Sequence, residues 1–285
     1  MKIIISRKGF DAANGGTASP ILPDKTMLSM PIPTDYSGVR YSDLYYGGRS
    51  YAEIWRELTG GKKQYSQYCH LDPDIRPENR QSLPTGWRPV FGQCGAAETH
   101  LEHEGVGVGD LFLFFGWFRE TEEKDGRLQY KRGAKNIHAI YGYLQVGEII
   151  RGSAVKQFPW HPHAAFDNFN NTMYVASDRL IMDGNDTGLK GAGTLQYSED
   201  VVLTMSGMPK SRWKLPDFFR DVTISYHTKE SFKPEGYFQS AAIGQEFVVL
   251  ESDEVTDWAR KIILKNATDT DRRSCRKMRD SVTHF

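Results

Sequence analysis

Cysteine is scarce in this chain, and the shortage excludes two ways of holding a fold together. The 285 residues include three cysteines, Cys69, Cys94 and Cys275, far apart and without a C-x-x-C pair. Neither a disulfide framework nor a thiolate zinc site is indicated. Net charge is also missing, since 36 Lys and Arg balance 36 Asp and Glu. No global basic field recruits nucleic acid, so any such contact must come from a local patch. Long apolar runs are lacking: Leu111 to Trp117 is too short for a membrane span, and Ile3 to Ile5 too short for a signal peptide. The expectation is a cytoplasmic protein with no membrane partner. No internal repeat, heptad or low-complexity tract is present.

What is there reads as an ordinary globular chain, 39% hydrophobic and 25% charged. Its most informative stretch runs from Phe91 to Ile149. Ala96, Ala97, Glu98, Leu101 and Glu102 predict a short helix ending near Glu104, with Gly105 as its stop. Leu111 to Trp117 reads as a strand buried on both faces, Lys124-Asp125-Gly126 as a hairpin turn, and Ile137 to Val146 as a returning strand. Further strands are expected at Lys2–Ser6, within 20–33 as an edge hairpin, and at 172–180, 201–205, 223–228 and 247–250. Helices are expected at 51–58 and 253–264. The class is α+β, with mixed, largely antiparallel sheets. Residues 1–264 form one domain and 265–285 a charged tail. The 91–150 segment is either the core hairpin of that domain or a barrel-like half, because a Gly-Asp turn before an apolar strand and a strand ending V-G-E-I resemble the small PUA-type barrels.

Several stretches place chemistry-bearing side chains at strand ends. Ser6, Arg7, Lys8 and Asp11 leave the first strand beside a glycine-rich loop, where backbone N–H groups and two cations suit an anion. Against this stands a plain polar loop, and no Walker or Rossmann spacing is present. His70, Asp72 and Asp74 could ligate a metal, but Pro73 between the aspartates suits capping and turn formation, and the reading adopted is no metal. Trp160, His161 and His163 flank a proline and could clamp a base or move a proton near neutral pH; packed surface histidines are the bland alternative. Gln93 and Cys94 form a turn before the predicted helix. Cys94 could be a nucleophile with its pKa depressed by the helix N-terminus, or a buried structural thiol. Tyr226 and His227 come forward from a predicted strand. Glu246, preceded by Gln245 at the mouth of an apolar strand, stands where a catalytic carboxylate would be held rigidly.

The segments ISRKGFDAANGGTASPILPDKTMLSMPIP, FGQCGAAETHLEHEGVGVGDLFLFFGWFR, HAIYGYLQVGEI, PWHPH, NTMYVASDRL and GQEFVV together resemble the third nucleotide modification associated domain family of phages and bacteria. That resemblance implies a nucleotide or DNA as partner, with other modification or defence proteins beside it, and it implies no particular reaction. The segment SAAIGQEFVVLESDEVTDWARKIIL is also similar to the closing segment of DNA-targeting ADP-ribosyltransferase toxins. That likeness would make Glu246 the catalytic carboxylate and NAD the cofactor, although the arginine expected before Gln245 is missing.

Three functions follow. The first is an enzyme that transfers or removes a group on a base or nucleotide. It would use Asp11, His161, His163 and Glu246 for catalysis, and Ser6, Arg7, Lys8, Gln93, Cys94, Trp160, Tyr226, His227 and Gln245 for binding. The second is a reader that stacks a modified base on Trp117, Trp160 or Tyr141. The third is a structural subunit of a modification complex.

Overall fold

Ile3, Ile4 and Ile5 are each at most 1% exposed, and an isoleucine run buried on both faces marks a strand inside a sheet. In the computed structural model, which describes residues 1–35, 38–62, 66–241 and 245–268, Ile3–Arg7 runs parallel to Leu111–Phe115 and antiparallel to Glu246–Val249. The sheet continues through Ile137–Arg151 and Thr172–Ala176 to Val90–Gln93. Ala192–Thr194, Ser19–Ile21 and Arg127–Tyr130 complete nine strands. Two neighbouring pairs are parallel, and the remaining ladders of the sheet are antiparallel.

The aromatic run of Leu111–Lys124 explains its central place. Phe112 and Phe114 share one face, stacked at 6.0 Å, and meet Phe91 and Tyr174. Phe115 points the other way, onto Trp213 and Phe247. With both faces covered by rings, the strand is fixed in register, since a one-residue slip would exchange the two sets.

No barrel closes among the described residues, so the PUA-like expectation for 91–150 is corrected: its strands belong to one larger sheet shared with both chain ends. The sheet is nevertheless rolled. Its terminal strands Val90–Gln93 and Glu246–Val249 make no ladder with each other, yet Gln93 Nε2 donates to Glu246 Oε1 at 2.8 Å. α+β is the class observed.

Among the described residues three α-helices form, each at a segment expected to be helical. α1 (Tyr51–Thr59) opens on a capping box between Ser50 and Glu53 and stops at Gly60 in the left-handed conformation. α2 spans Gly95–His103, and α3 (Asp253–Asn266) begins at Ser252. α1 belongs to a second core cluster, where Phe10, Tyr41 and Trp55 pack their rings.

Some short expected strands are not ladders. At 223–228 only an Ile224–Val249 bridge forms, because Tyr226 turns the chain at φ 62°. Residues 201–205 contribute isolated bridges from Val202 and Thr204 after a 3-10 turn. The turn expected within 20–33 forms and closes on an antiparallel Ile21–Met27 bridge, but the flanking strands find their ladders elsewhere: Ser19–Ile21 pairs with Leu111–Lys124, and Ile32–Thr34 with Tyr68–His70. Beyond residue 268, the charged tail and Cys275 lie outside the described residues.

Candidate functional site: a cleft at the seam of the rolled sheet

The loop leaving the first strand, the end of Val90–Gln93 and the start of Glu246–Val249 meet where the sheet's edges approach. They border a cleft of about 540 Å³ whose lining includes Arg7, Lys8, Gln93 and Gln245. Behind the lining lies Glu246, 1% exposed. Its Oε1 accepts from Lys8 Nζ at 3.0 Å, Gln93 Nε2 at 2.8 Å and Ser6 Oγ at 3.4 Å. Lys8 is itself buried, with its ammonium 4.3 Å from the centre of the Phe91 ring. A buried ion pair satisfied by further donors is a structural joint. Ser6, Lys8, Gln93 and Glu246 thus tie the two sheet edges together, and the Lys8 charge is matched by Glu246.

The cleft floor carries a second cluster. His70 ends the strand Tyr68–His70 and Asp72 follows it, while His163 sits in the short 3-10 turn Pro162–Ala165. One ligand atom from each of His70, Asp72 and His163 lies within 4.8 Å of the other two. The supporting bonds fix how these groups point. Asn171 Nδ2 donates to the His163 and Phe166 carbonyls, so its Oδ1 faces His163 Nδ1 at 2.8 Å as acceptor. His163 therefore carries its proton on Nδ1 and keeps a lone pair on Nε2. Asp72 Oδ1 accepts from the Gly92 N–H at 2.8 Å and lies 3.3 Å from His161 Nε2. Its Oδ2 faces His70 Nε2 at 3.9 Å.

Electrostatics set the charge states. Burial holds His70 down to about 3 and His163 down to about 4, so both are neutral at pH 7. Burial acts to raise Asp72, but His161 at 3.3 Å, His163 and Lys8 bring it below the usual carboxylate range. The floor thus presents two imidazole nitrogens and one carboxylate oxygen, a donor set that could hold a metal.

Gly92 is required here. A Cβ on it would lie 2.5 Å from the His163 ring carbons, so only glycine lets that ring reach the strand.

The rim is different in kind. Trp117 and Lys210 line it, with Lys210 Nζ 4.6 Å from the indole centre. His138 also lines the cleft, and its Nδ1 accepts from Trp213 Nε1 at 3.1 Å. Arg7 and Asp11 complete that side. Asp11 Oδ1 accepts from the N–H groups of Ala13 and Asn14, which makes the carboxylate the organiser of its own turn.

The other sequence candidates do not line the cleft. Trp160 packs edge-on against Phe158 in a separate cluster, away from the cleft, so no clamp forms between it and an imidazole there. His161 is buried at 2% and faces Asp72. Burial pushes the Cys94 thiol up, the opposite of the expected depression. Tyr226 is exposed and leans on His100. His227 is packed between Phe238 and Phe247, accepting from the Ala241 N–H. Tyr141 is in the core beside Phe114 and Phe118, beyond the reach of any base.

The His70, Asp72 and Asp74 group of the sequence separates in the structure. Asp74 is taken up by Arg80, bidentate at 2.7 Å, and by Trp87. Asp72 faces the cleft, and its partner His163 comes from 91 residues further along the chain. His138 and Lys210 were missed; no local pattern distinguishes them.

The model of a family described as nucleotide modification associated domain 3 matches residues 2–250. No curated protein and no solved structure matches the chain.

Proposed function

The chain belongs to the nucleotide modification associated domain 3 family, and we propose on that premise that the cleft binds a nucleotide unit and that the protein transfers or removes a group on it. The observation that carries this reading is the division of the cleft into a binding rim and a reactive floor. Arg7 and Lys210 supply positive charge for a phosphate, and the Trp117 indole a face for a base. His70, Asp72 and His163 place neutral nitrogens and a carboxylate at the bottom. The volume of about 540 Å³ falls within the range of small-molecule sites. Neutral imidazole nitrogens and an ionised carboxylate can accept hydrogen bonds from a substrate hydroxyl, amine or water and orient it.

In this reading Glu246 is a positioning residue. It is 1% exposed and its Oε1 is engaged by three donors, so it acts by holding Lys8 and Gln93. That placement gives no support to the toxin-like reading with NAD. A second reading, a reader of modified bases, is favoured by Trp117 alone, whose ring borders the cleft without being buried in the core.

Mass spectrometry of nucleosides from the DNA, RNA and free nucleotide pool of cells expressing the wild-type chain or Asp72→Asn separates them. A new or missing nucleoside mass that depends on Asp72 is the expected result, and the mass difference names the group. Unchanged nucleosides, together with binding of modified nucleotide that Asp72→Asn leaves intact and Trp117→Ala abolishes, would replace the enzyme with the reader.

A further inference from the structure

We propose that His70, Asp72 and His163 form a binding site for one divalent first-row transition-metal ion. The inference goes beyond the nucleotide reading and does not depend on it. Two imidazoles and one carboxylate are a recurrent protein donor set for such ions, leaving coordination positions for water or substrate.

The geometry favours this over a set of mutually paired polar side chains. Asn171 occupies His163 Nδ1 and leaves Nε2 as the free donor. Asp72 Oδ1 is occupied by the Gly92 N–H and faces His161, which leaves Oδ2 toward His70. Phe166 stacks on the His70 ring at 5.7 Å and 10°, holding its plane. Partners that orient ligating imidazoles and carboxylates from behind are the usual company of a metal ion. His161 and Asn171 have that position here, as positioning residues.

The present spacing is somewhat open. Donors about 2.0–2.2 Å from a shared ion lie roughly 3–3.5 Å apart, so atoms within 4.8 Å of one another must draw together by up to roughly 1.5 Å. Arg7 and Lys210 line the same cleft as His70, Asp72 and His163.

The test is titration of the full chain with Co(II) after chelator treatment and buffer exchange, followed by visible absorption and elemental analysis. One equivalent bound by the wild type is expected. Asp72→Asn and His163→Ala should weaken it by more than the ~10–100-fold that loss of a supporting group costs, and His100→Ala, on α2 outside the cleft, should leave it unchanged. Since buried substitutions can unfold a chain, a second measurement uses the wild type alone. Co(II) should shift or broaden the His70 and His163 imidazole resonances and spare those of His100. Less than half an equivalent bound by folded wild type, equal affinity in Asp72→Asn, or perturbation of His100 in place of His70 and His163 would overturn the site. No nucleotide enters this test. A chain that modifies nucleosides yet binds no metal loses only this inference, and one that binds metal but modifies nothing loses only the proposed function.

Discussion

Gln93 and Glu246 stand on the two terminal strands of the sheet order, and their side chains meet at 2.8 Å across the gap that the backbone ladder leaves open. That contact holds the roll of the sheet. The roll in turn brings the loop after the first strand, the His70–Asp72 segment and the Pro162–Ala165 turn around one cleft. Lys8, beside it, is bound to the same carboxylate oxygen.

Because the Lys8–Glu246 pair is buried, removing one partner strands the other charge. Glu246→Ala is expected to cost about 3–5 kcal/mol, whereas the double change Lys8→Met with Glu246→Leu recovers most of it. Urea denaturation of the three proteins checks this. A double variant no more stable than Glu246→Ala would show that the pair is not the joint.

Gly92→Ala forces a methyl group against the His163 ring. The expected cost is about 1–3 kcal/mol as the ring is displaced. The His163 resonance should move in the same variant, while thermal unfolding reports the loss. An alanine variant with wild-type melting temperature and an unmoved His163 resonance would contradict the packing.

Binding should divide along the rim. Trp117→Ala is expected to weaken nucleotide binding by the ~1–3 kcal/mol of one stacked base. Arg7→Ala and Lys210→Ala should each cost about tenfold, or ~1.4 kcal/mol, and should flatten its salt dependence. Fluorescence or calorimetric titration with nucleoside monophosphates at several ionic strengths is the measurement. Affinity unaffected by all three changes would put the ligand elsewhere.

His138 is held neutral, its pKa lowered by burial to about 3 from 6.5. The unfolded chain binds the extra proton first, so the His138 contribution is fully present above pH 6.5 and is lost as pH falls toward 3. Protonation also removes the acceptor for Trp213 Nε1. His138→Gln should melt with a shallower fall between pH 6.5 and 4 than the wild type. An equally steep fall in both would assign the acid sensitivity to other groups.

Glu98 acts in the opposite direction. Burial raises its carboxyl to about 7 from 4.5, and the Tyr174 hydroxyl donates to it at 3.0 Å. Here the folded state holds the proton longer, so stability falls as pH rises from 4.5 through 7. Glu98→Gln should remove that part of the slope, leaving a melting temperature less dependent on pH between 5 and 8. A variant with the wild-type pH profile would show that Glu98 is ionised in the fold.

Local order was written in the sequence. The isoleucines of the first strand, the aromatic run from Leu111, the Asp125-Gly126 turn, Ser50 with Glu53 and the glycine after α1 each specify structure within a few residues. The reason is that strand burial, turn conformation and helix capping depend on neighbours along the chain. The same locality left errors where partners were remote. Residues 201–205 and 223–228 have strand-like composition, but Ala192–Thr194 already pairs with the adjoining length of Ile137–Arg151, and Tyr226 turns the chain away from Glu246–Val249, so only isolated bridges form.

The site was decided by tertiary structure. Ser6, Arg7, Lys8, Gln93, His163, Gln245 and Glu246 could each be named from strand ends and motifs. Their division into a buried joint, a rim and a floor could not. Asp72 and Asp74 are equivalent as letters, yet one meets His161 and His70 while the other is taken by Arg80. Glu246 finds Lys8 across 238 positions of sequence. Such pairings are set by ladder register and sheet roll, which arise from packing the whole core at once, and a carboxylate's role follows from the partners that packing delivers to it.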